Sequence, residues 1–417
     1  MKLELTAATT ALILLTGCGG GGGGGDDGGL DGGGNNGNEL PPAASAPPLK
    51  TELAAKYGVV GYPVGAAIEP ASTTTAPDSA LLLKHFSSVT AENAMKPDTV
   101  WPNAAGSTTQ PAAAPNFVPA DVIYSFAITN NIQVRGHTLL WHQTAPSWFF
   151  AGDRTDPVAY RLQVQQHLCQ YIDAVMKHFP QVYAWDVVNE VASDTPNSTA
   201  NPYRTNSPWY EAYSVSGNGW DYVADTFTCA AQTRAAMGKT SGNLKLMLND
   251  YNTELPGKRA NVIQIVQSLL DASVPIDGVG HQFHLQLNAD VSQVTAAFAA
   301  VEALNGNLVN HVTELDVSIY ADPGECFAQR TIPPCLADVG TAPPQTLLTQ
   351  QALKYRELFN AFNRPRVTSV SLWGIADNHT WLNTFPVNRT NHPLLFDRAG
   401  NPKWAFWTVV NATITPP

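Results

Sequence analysis

The sequence predicts an α/β protein folded as one closed (β/α)8 barrel. From Thr51 onward, short β-branched apolar runs alternate with longer amphipathic segments, which is the pattern of a repeated βα unit. Eight such runs can be read, the number that closes a parallel barrel. Within each run the apolar residues are nearly continuous rather than alternating, so the sheet has to be covered on its outer face by helices. A length of 417 residues divides into two or three domains at about 150 residues each, but α/β barrels exceed that size as single domains. An open doubly wound sheet is the competing architecture.

The expected strands are VGAAI from Val64, SVTAEN from Ser88, QVRGHTLLW from Gln133, AWDVVNE from Ala184, KLMLNDYN from Lys245, GVGHQF from Gly278, HVTELDV from His311 and SVSLWG from Ser369. Helical patterns lie between them. One starts at Asp156 with an aspartate N-cap and a proline in the first turn, and another runs from Lys258, both with apolar residues at helical spacing. Polar or aromatic groups gather where the strands finish: Glu92 and Asn93, His137 to His142, Asn189 and Glu190, Asn249 and Asp250, Gln282 and His284, Glu314 and Asp316, Trp373. One polar strand end is commonly a loop cap. Seven of eight ends converge on one rim of a barrel, the rim where barrel sites lie.

Residues 1–50 are expected to lie outside the fold. A short apolar run follows Met1 and Lys2; it is too short to span a bilayer and has the form of a secretory leader. Its end, LTGC, resembles the lipobox of bacterial lipoproteins, which implies lipidation of Cys18, a signal peptide over 1–18 and attachment to a membrane. Gly19 after that cysteine implies sorting to the outer membrane or cell surface in a Gram-negative host; an ordinary cleaved leader implies secretion. Residues 19–50 are rich in Gly and Pro with little to bury, so they read as a tether. The catalytic domain is then 51–417.

With 23 basic against 34 acidic side chains the formal charge is −11, and no basic cluster is visible, which argues against a nucleic-acid partner. Setting Cys18 aside leaves four of the five cysteines, in an exported compartment that permits disulfides. Cys326 and Cys335 flank a proline-containing loop and are expected to pair. Cys169 and Cys229 fall in consecutive helices, as a bridge or as buried thiols. No cysteine or histidine spacing suits a metal, so neither metal nor cofactor is expected, and a monomer is the default.

The chemistry centres on Glu190, ending the fourth strand, and Glu314, in the seventh. These strands face one another across an eight-stave ring, so two carboxyl groups can approach as a retaining glycosidase requires. Asp316 and His284 can form an Asp–His–Glu hydrogen-bond chain that keeps Glu314 ionised, which suits a nucleophile. Glu190, with no cation in its motif and near the charge of Glu314, is expected to hold its proton and act as acid/base. Asn189 can contact a sugar 2-hydroxyl. The alternative, two carboxylates paired with Arg or Lys for structure, is weakened because neither local motif contains a base.

With these motifs in order, the chain resembles glycoside hydrolase family 10, the (β/α)8 endo-β-1,4-xylanases, from about Tyr57 to Trp407. TAENAMK is similar to the segment that lines the non-reducing-side subsites with Glu92, Asn93 and Lys96. RGHTLLWHQTAPSW is similar to the third-strand signature and brings His137, Trp141, His142 and Trp148. WDVVNE and VTELD resemble the acid/base and nucleophile motifs with Glu190 and Glu314, and SPWY from Ser207 resembles the loop after the first of them. GVGHQFH supplies Gln282 and His284. LWGIADNHTW supplies Trp373 and Trp381, and PLLFDRAGNPKWAF resembles the closing segment. The resemblance implies a groove open at both ends, with sugars stacked on Trp373 and Trp381 and hydrogen-bonded by Asn93, Lys96, His137 and Gln282. For Trp148, core packing and a cleft role stand equally.

This chain departs from the pattern at Thr144, where the family usually has a glutamine, and Gln143 is displaced by one. The loops after the fourth and seventh strands are long, and the second carries Cys326 and Cys335. The expected activity is a retaining endo-β-1,4-xylanase acting on xylan or xylo-oligosaccharides. Two rivals are a barrel hydrolase of another β-1,4-glycan and a catalytically silent glycan-binding lipoprotein.

Overall fold

The computed structural model describes residues 39–198 and 200–417. The leader, Cys18 and most of the expected tether lie outside the described residues. Eight staves form a closed ring of parallel pairings: β1 (Val64–Ile68), β2 (Ser88–Ala91), β3 (Gln133–Gly136), β4 (Val182–Asn189), β5 (Lys245–Asp250), β6 (Gly278–His281), β8 (Val309–Ser318) and β9 (Val367–Leu372). Closure comes from β1 pairing with β9 and β6 with β8. A short extra strand, β7 (His284–Gln286), continues the sixth stave and pairs with the upper end of β8, His284 opposite Asp316. The seventh stave, which carries Glu314, is therefore β8.

Every residue of β1 and β2 is buried, as are nine of ten in β8, as a sheet enclosed on both faces requires. Helix Pro157–His178 begins as the sequence indicates, the Asp156 carboxylate accepting the Ala159 N–H at 3.1 Å and satisfying one of its orphan donors. Its inner face buries Val164, Leu168, Ile172 and Val175, each contributing about 1.5–3 kcal/mol on the area scale. The second expected helix runs Pro256–Asp271.

Three expectations shift. Helix Leu49–Tyr57 begins inside the segment read as tether, and Ala46 and Leu49 are buried, because their apolar side chains pack into the domain. The third strand ends at Gly136 instead of Trp141. Beyond it the chain has a cis His137–Thr138 peptide and touches β4 through the Leu139 N–H to Asp186 carbonyl bond and the Asn189 N–H to Leu140 carbonyl bond. The sixth stave is broken at Gln282 and Phe283, where Phe283 has φ 52°, and the pairing register with β8 moves by one residue across the break.

Both glutamate-bearing strands carry register irregularities at or near their glutamates, between Asp186 and Val188 in β4, just before Glu190, and between Val312 and Leu315 in β8, around Glu314. Bulges of this kind re-aim side chains at barrel rims. Cys326 is joined to Cys335, and Cys169 to Cys229, which ties helix Pro157–His178 to helix Asp221–Ala236. Among the described residues, no helix is long and apolar enough to cross a membrane.

Candidate active site

The floor of the site is an ion pair inside the barrel. Arg135, fully buried on β3, donates from Nε to Asp186 Oδ1 at 3.3 Å and from Nη2 to Asp186 Oδ2, and from Nη1 to Thr90 Oγ1 and the Thr313 carbonyl at 3.1 and 3.2 Å. His137 Nδ1 lies 2.8 Å from the same Asp186 Oδ2. The guanidinium reaches to 3.8 Å from Glu314 Oε1. Neither glutamate motif contains a base, as the sequence shows, but Glu314 has one nearby all the same, because Arg135 reaches it from β3 on the far side of the barrel.

Glu314 is held on both oxygens. Asn249 Nδ2 donates to Oε1 at 2.7 Å, and His284 Nε2 lies 3.2 Å from Oε2. His284 Nδ1 is 2.9 Å from Asp316 Oδ2, which also accepts the Trp381 indole N–H at 2.8 Å. The expected Asp–His–Glu chain is thus present in the geometry. Burial alone would raise the Glu314 pKa, but His284, His137 and Arg135 outweigh it and bring the carboxyl down to about 2. Burial opposes the charged form of His284 as well, yet Asp316 and Glu314 lift it to about 10. The histidine is therefore a cation at neutral pH.

Glu190 sits at the end of β4 with φ 57°, a left-handed conformation that turns its side chain away from the strand's course. Trp141 Nε1 donates to Oε2 at 2.8 Å and Gln282 Nε2 to Oε1 at 3.2 Å. Burial, first, and the charge of Asp250, second, raise its pKa to about 7. Glu314 adds to the rise but is the smaller electrostatic contributor, so the main cause differs from the one the sequence suggests.

Three amides join the two carboxyl groups. Gln282 Nε2 donates to Glu190 Oε1 and to Asn189 Oδ1 at 3.2 Å each, while Asn249 Nδ2 donates to Asn189 Oδ1 at 2.9 Å and to Glu314 Oε1. With its oxygen taken by two donors, Asn189 has its NH2 group left over. Asn249 is fixed in turn by Thr313 Oγ1, which donates to its Oδ1 at 2.7 Å.

On one side of this centre, Lys96 Nζ donates to Asn93 Oδ1 at 2.9 Å and lies 4.8 Å from the Trp141 ring centroid; Asn93 Nδ2 donates to Glu69 Oε1 at 2.5 Å. Burial and the neighbouring Glu69 raise Glu92 to about 7, against the pull of Lys96. On the other side, Trp373 packs edge-on to His137 and His284. Trp381 is half-buried, edge-on to His284 and stacked on Phe385.

Two residues of the third-strand signature stand apart. Trp148 is core, 2% exposed, its N–H on the Trp101 carbonyl and its ring against Phe149. His142 Nδ1 is buried without a hydrogen-bond partner among the described residues, and burial together with Arg204 lowers its pKa to about 4. Thr144 Oγ1 is buried without a partner among the described residues. His137, Asp186 and Glu314 bring three donor atoms within 4.8 Å of one another, but Arg135 supplies the positive charge there and already donates to Asp186.

The site residues that sequence reasoning missed are Arg135, Asp186, Asn249, Thr313 and Glu69. Arg135 and Asn249 left a signal: Arg135 lies two positions before His137, and Asn249 stands among the polar strand ends.

The family model described as glycosyl hydrolase family 10 matches residues 51–412. Among curated proteins the chain is 38% identical over 364 residues to a thermostable celloxylanase of Thermoclostridium stercorarium, covering 84% of each chain. It is 37% identical to a beta-1,4-xylanase of Dictyoglomus thermophilum, over 79% of this chain and 83% of that one. Among solved structures, xylanase B from Clostridium stercorarium F9 superposes with a TM-score of 0.73 at 38% identity, over 88% of this chain and 99% of that one. The chain belongs to glycosyl hydrolase family 10.

Proposed function

We propose that this protein is a retaining endo-β-1,4-xylanase that cuts internal bonds of xylan by double displacement, with Glu314 as nucleophile and Glu190 as acid/base. The observation that carries the reading is the divergence of the two carboxyl groups, Glu314 drawn down to about 2 and Glu190 pushed up to about 7. A group near 7 holds a proton it can give to a leaving glycosidic oxygen. A group near 2 is ionised at any working pH, yet it is too weak a base to take a proton readily from water. That favours direct attack on the anomeric carbon over the water activation of an inverting enzyme.

In the first step Glu190 protonates the leaving oxygen as Glu314 forms a bond to the anomeric carbon. In the second, Glu190, now anionic, takes a proton from water, and the water displaces Glu314 with net retention. Asn189 has its oxygen occupied, so its NH2 group is the end free to donate to the 2-hydroxyl of the sugar. Glu92, Asn93 and Lys96, with His137, Gln282, Trp373 and Trp381, bind the neighbouring sugars in this reading. The similar proteins named as xylanases support the choice of substrate.

The test is incubation with xylan, β-1,4-glucan and mannan, following the products and their initial anomeric configuration by NMR. Cleavage of xylan with β-configured first products is expected. No cleavage of xylan, or α-configured first products, would overturn the proposal.

Cys18 in LTGC, followed by a Gly- and Pro-rich spacer, supports a further proposal, that the enzyme is exported and held at a membrane by lipid. A Cys18→Ala protein is expected to lose detergent-phase partitioning; unchanged partitioning would remove the anchor.

A further inference from the structure

The loop after β8 is held more firmly than a cover for the barrel requires. Cys326 and Cys335 are bonded and fully buried. Arg389 pairs with Asp322, donates to the carbonyls of Cys335 and Ala337 at 3.2 Å each, and lies 3.5 Å from the centroid of Tyr320. The Tyr320 hydroxyl donates to the Thr390 carbonyl at 2.7 Å and accepts the Val339 N–H at 3.0 Å.

Two of the side chains that this framework presents to solvent are Phe327 and Arg330. Phe327, on the short helix Glu325–Ala328, is 45% exposed. Arg330 is exposed and makes no ion pair or hydrogen bond among the described residues, although the chain carries 34 acidic groups to 23 basic ones. Its guanidinium instead lies over the Phe385 ring, 5.2 Å from the centroid. Phe385 meets Phe327 edge-on at 5.8 Å and stacks on Trp381 at 4.9 Å with an interplanar angle of 18°. Trp381 in turn donates to Asp316, the residue that holds His284. A continuous column of Trp381, Phe385 and Arg330 thus runs from the support of Glu314 to the surface.

A planar aromatic ring offers an apolar face to the C–H face of a sugar. A guanidinium offers paired donors to a carboxylate. Side by side, and continuous with the groove, they match a sugar that carries a carboxyl group rather than a neutral one.

We propose that Phe327 and Arg330 form a distal binding site for a uronic acid substituent of the substrate chain, Phe327 packing on its ring and Arg330 pairing with its carboxylate. The inference rests on the xylanase reading above. It assigns the disulfide-bonded loop a role in choosing acidic, decorated xylan over the unsubstituted polymer.

The test compares kcat/KM of the wild type, Arg330→Ala, Arg330→Lys and Phe327→Ala on three substrates: glucuronoxylan, the same polymer with its carboxyl groups reduced to alcohols, and unsubstituted xylan. Arg330→Ala is expected to lower kcat/KM on glucuronoxylan roughly threefold to fivefold, the size of an exposed ion pair, and to leave the other two substrates unchanged. Arg330→Lys should retain most of the preference, and Phe327→Ala should lose activity on glucuronoxylan and on its reduced form alike. An equal effect of Arg330→Ala on all three substrates, or none on glucuronoxylan, overturns this site while leaving the xylanase reading intact. A wild type that cleaves none of the three overturns the xylanase reading itself.

Discussion

Glu190 and Glu314 are the same kind of residue at the same rim, and their surroundings alone move their pKa values in opposite directions, which is what the proposed division of labour needs. Replacing Glu314 with Ala is expected to lower kcat by roughly 10⁴-fold or more, as for other covalent nucleophiles, and azide should not restore turnover with retained configuration. Glu190→Ala is expected to lose about 10²- to 10⁴-fold and to be rescued by azide on substrates with good leaving groups, giving β-glycosyl azide. Ordinary activity in Glu314→Ala would reverse the assignment.

The pH profile follows from the same pair. Glu190 must be protonated to act as acid, so kcat/KM should fall as pH rises through about 7. Asp250 lies under the Glu190 turn, its Oδ2 accepting the Ala192 N–H at 2.9 Å and its Oδ1 3.1 Å from Lys258 Nζ. After burial, its charge is the largest cause of the raised Glu190 pKa. Asp250→Asn removes that charge, stabilises ionised Glu190, and should move the alkaline limb to lower pH while the acid limb stays in place. An unmoved alkaline limb in a protein with native Tm would show that burial alone sets the acid.

The carboxyl pair with His284 and Asp316 was legible in the sequence because each sits in a short motif at a strand end. Arg135, Asp186 and Asn249 were not assigned, because their importance depends on which strands are neighbours and which way each residue faces after a bulge. Trp148 shows the same limit from the other side. Its motif gave core and cleft equal standing, and only the packing of Trp101 and Phe149 against it decides for the core.

At the scale of strands and loops, the order of the eight staves could be read from apolar runs, whereas their ends could not. Buried apolar residues, Leu139 and Leu140, continue past the last ladder bond in β3, and a reading based on composition runs on with them to Trp141. The split of the sixth stave into β6 and β7 is hidden for the opposite reason. Gln282 and Phe283 look like strand, and the one-residue register change that brings His284 opposite Asp316 is a tertiary event.

Gly280 in β6 shows how closely these staves are fitted. A Cβ there would stand 2.5 Å from Asn249 Oδ1 and 2.8 Å from Thr313 Cγ2, so Gly280→Ala has to displace the amide that holds Glu314. Overpacking of this kind costs about 1–3 kcal/mol. A lower Tm is expected together with a fall in kcat larger than any rise in KM. A fall in Tm with unchanged kcat would mean that Asn249 does not position the nucleophile.

For the whole molecule, the two disulfides differ in what they enclose. Cys169–Cys229 spans 60 residues and contains β4 with Glu190, while Cys326–Cys335 spans 9 and contains one loop. Cross-links act mainly by removing freedom from the unfolded chain, and more so the longer the loop. On that basis the first contributes about 4 kcal/mol and the second about 2.5 kcal/mol. Replacing Cys169 and Cys229 together with Ala should therefore lower the midpoint of denaturant unfolding more than replacing Cys326 and Cys335. The effects on activity should run the other way for acidic substrate, because the shorter link fixes the segment bearing Phe327 and Arg330. Loss of the shorter link is expected to leave kcat/KM on unsubstituted xylan near the wild-type value and to lower it on glucuronoxylan. The two pairs of variants thus separate a cross-link that stabilises the barrel from one that shapes its binding surface. Equal losses of stability, with no difference between the two polymers, would reject that division.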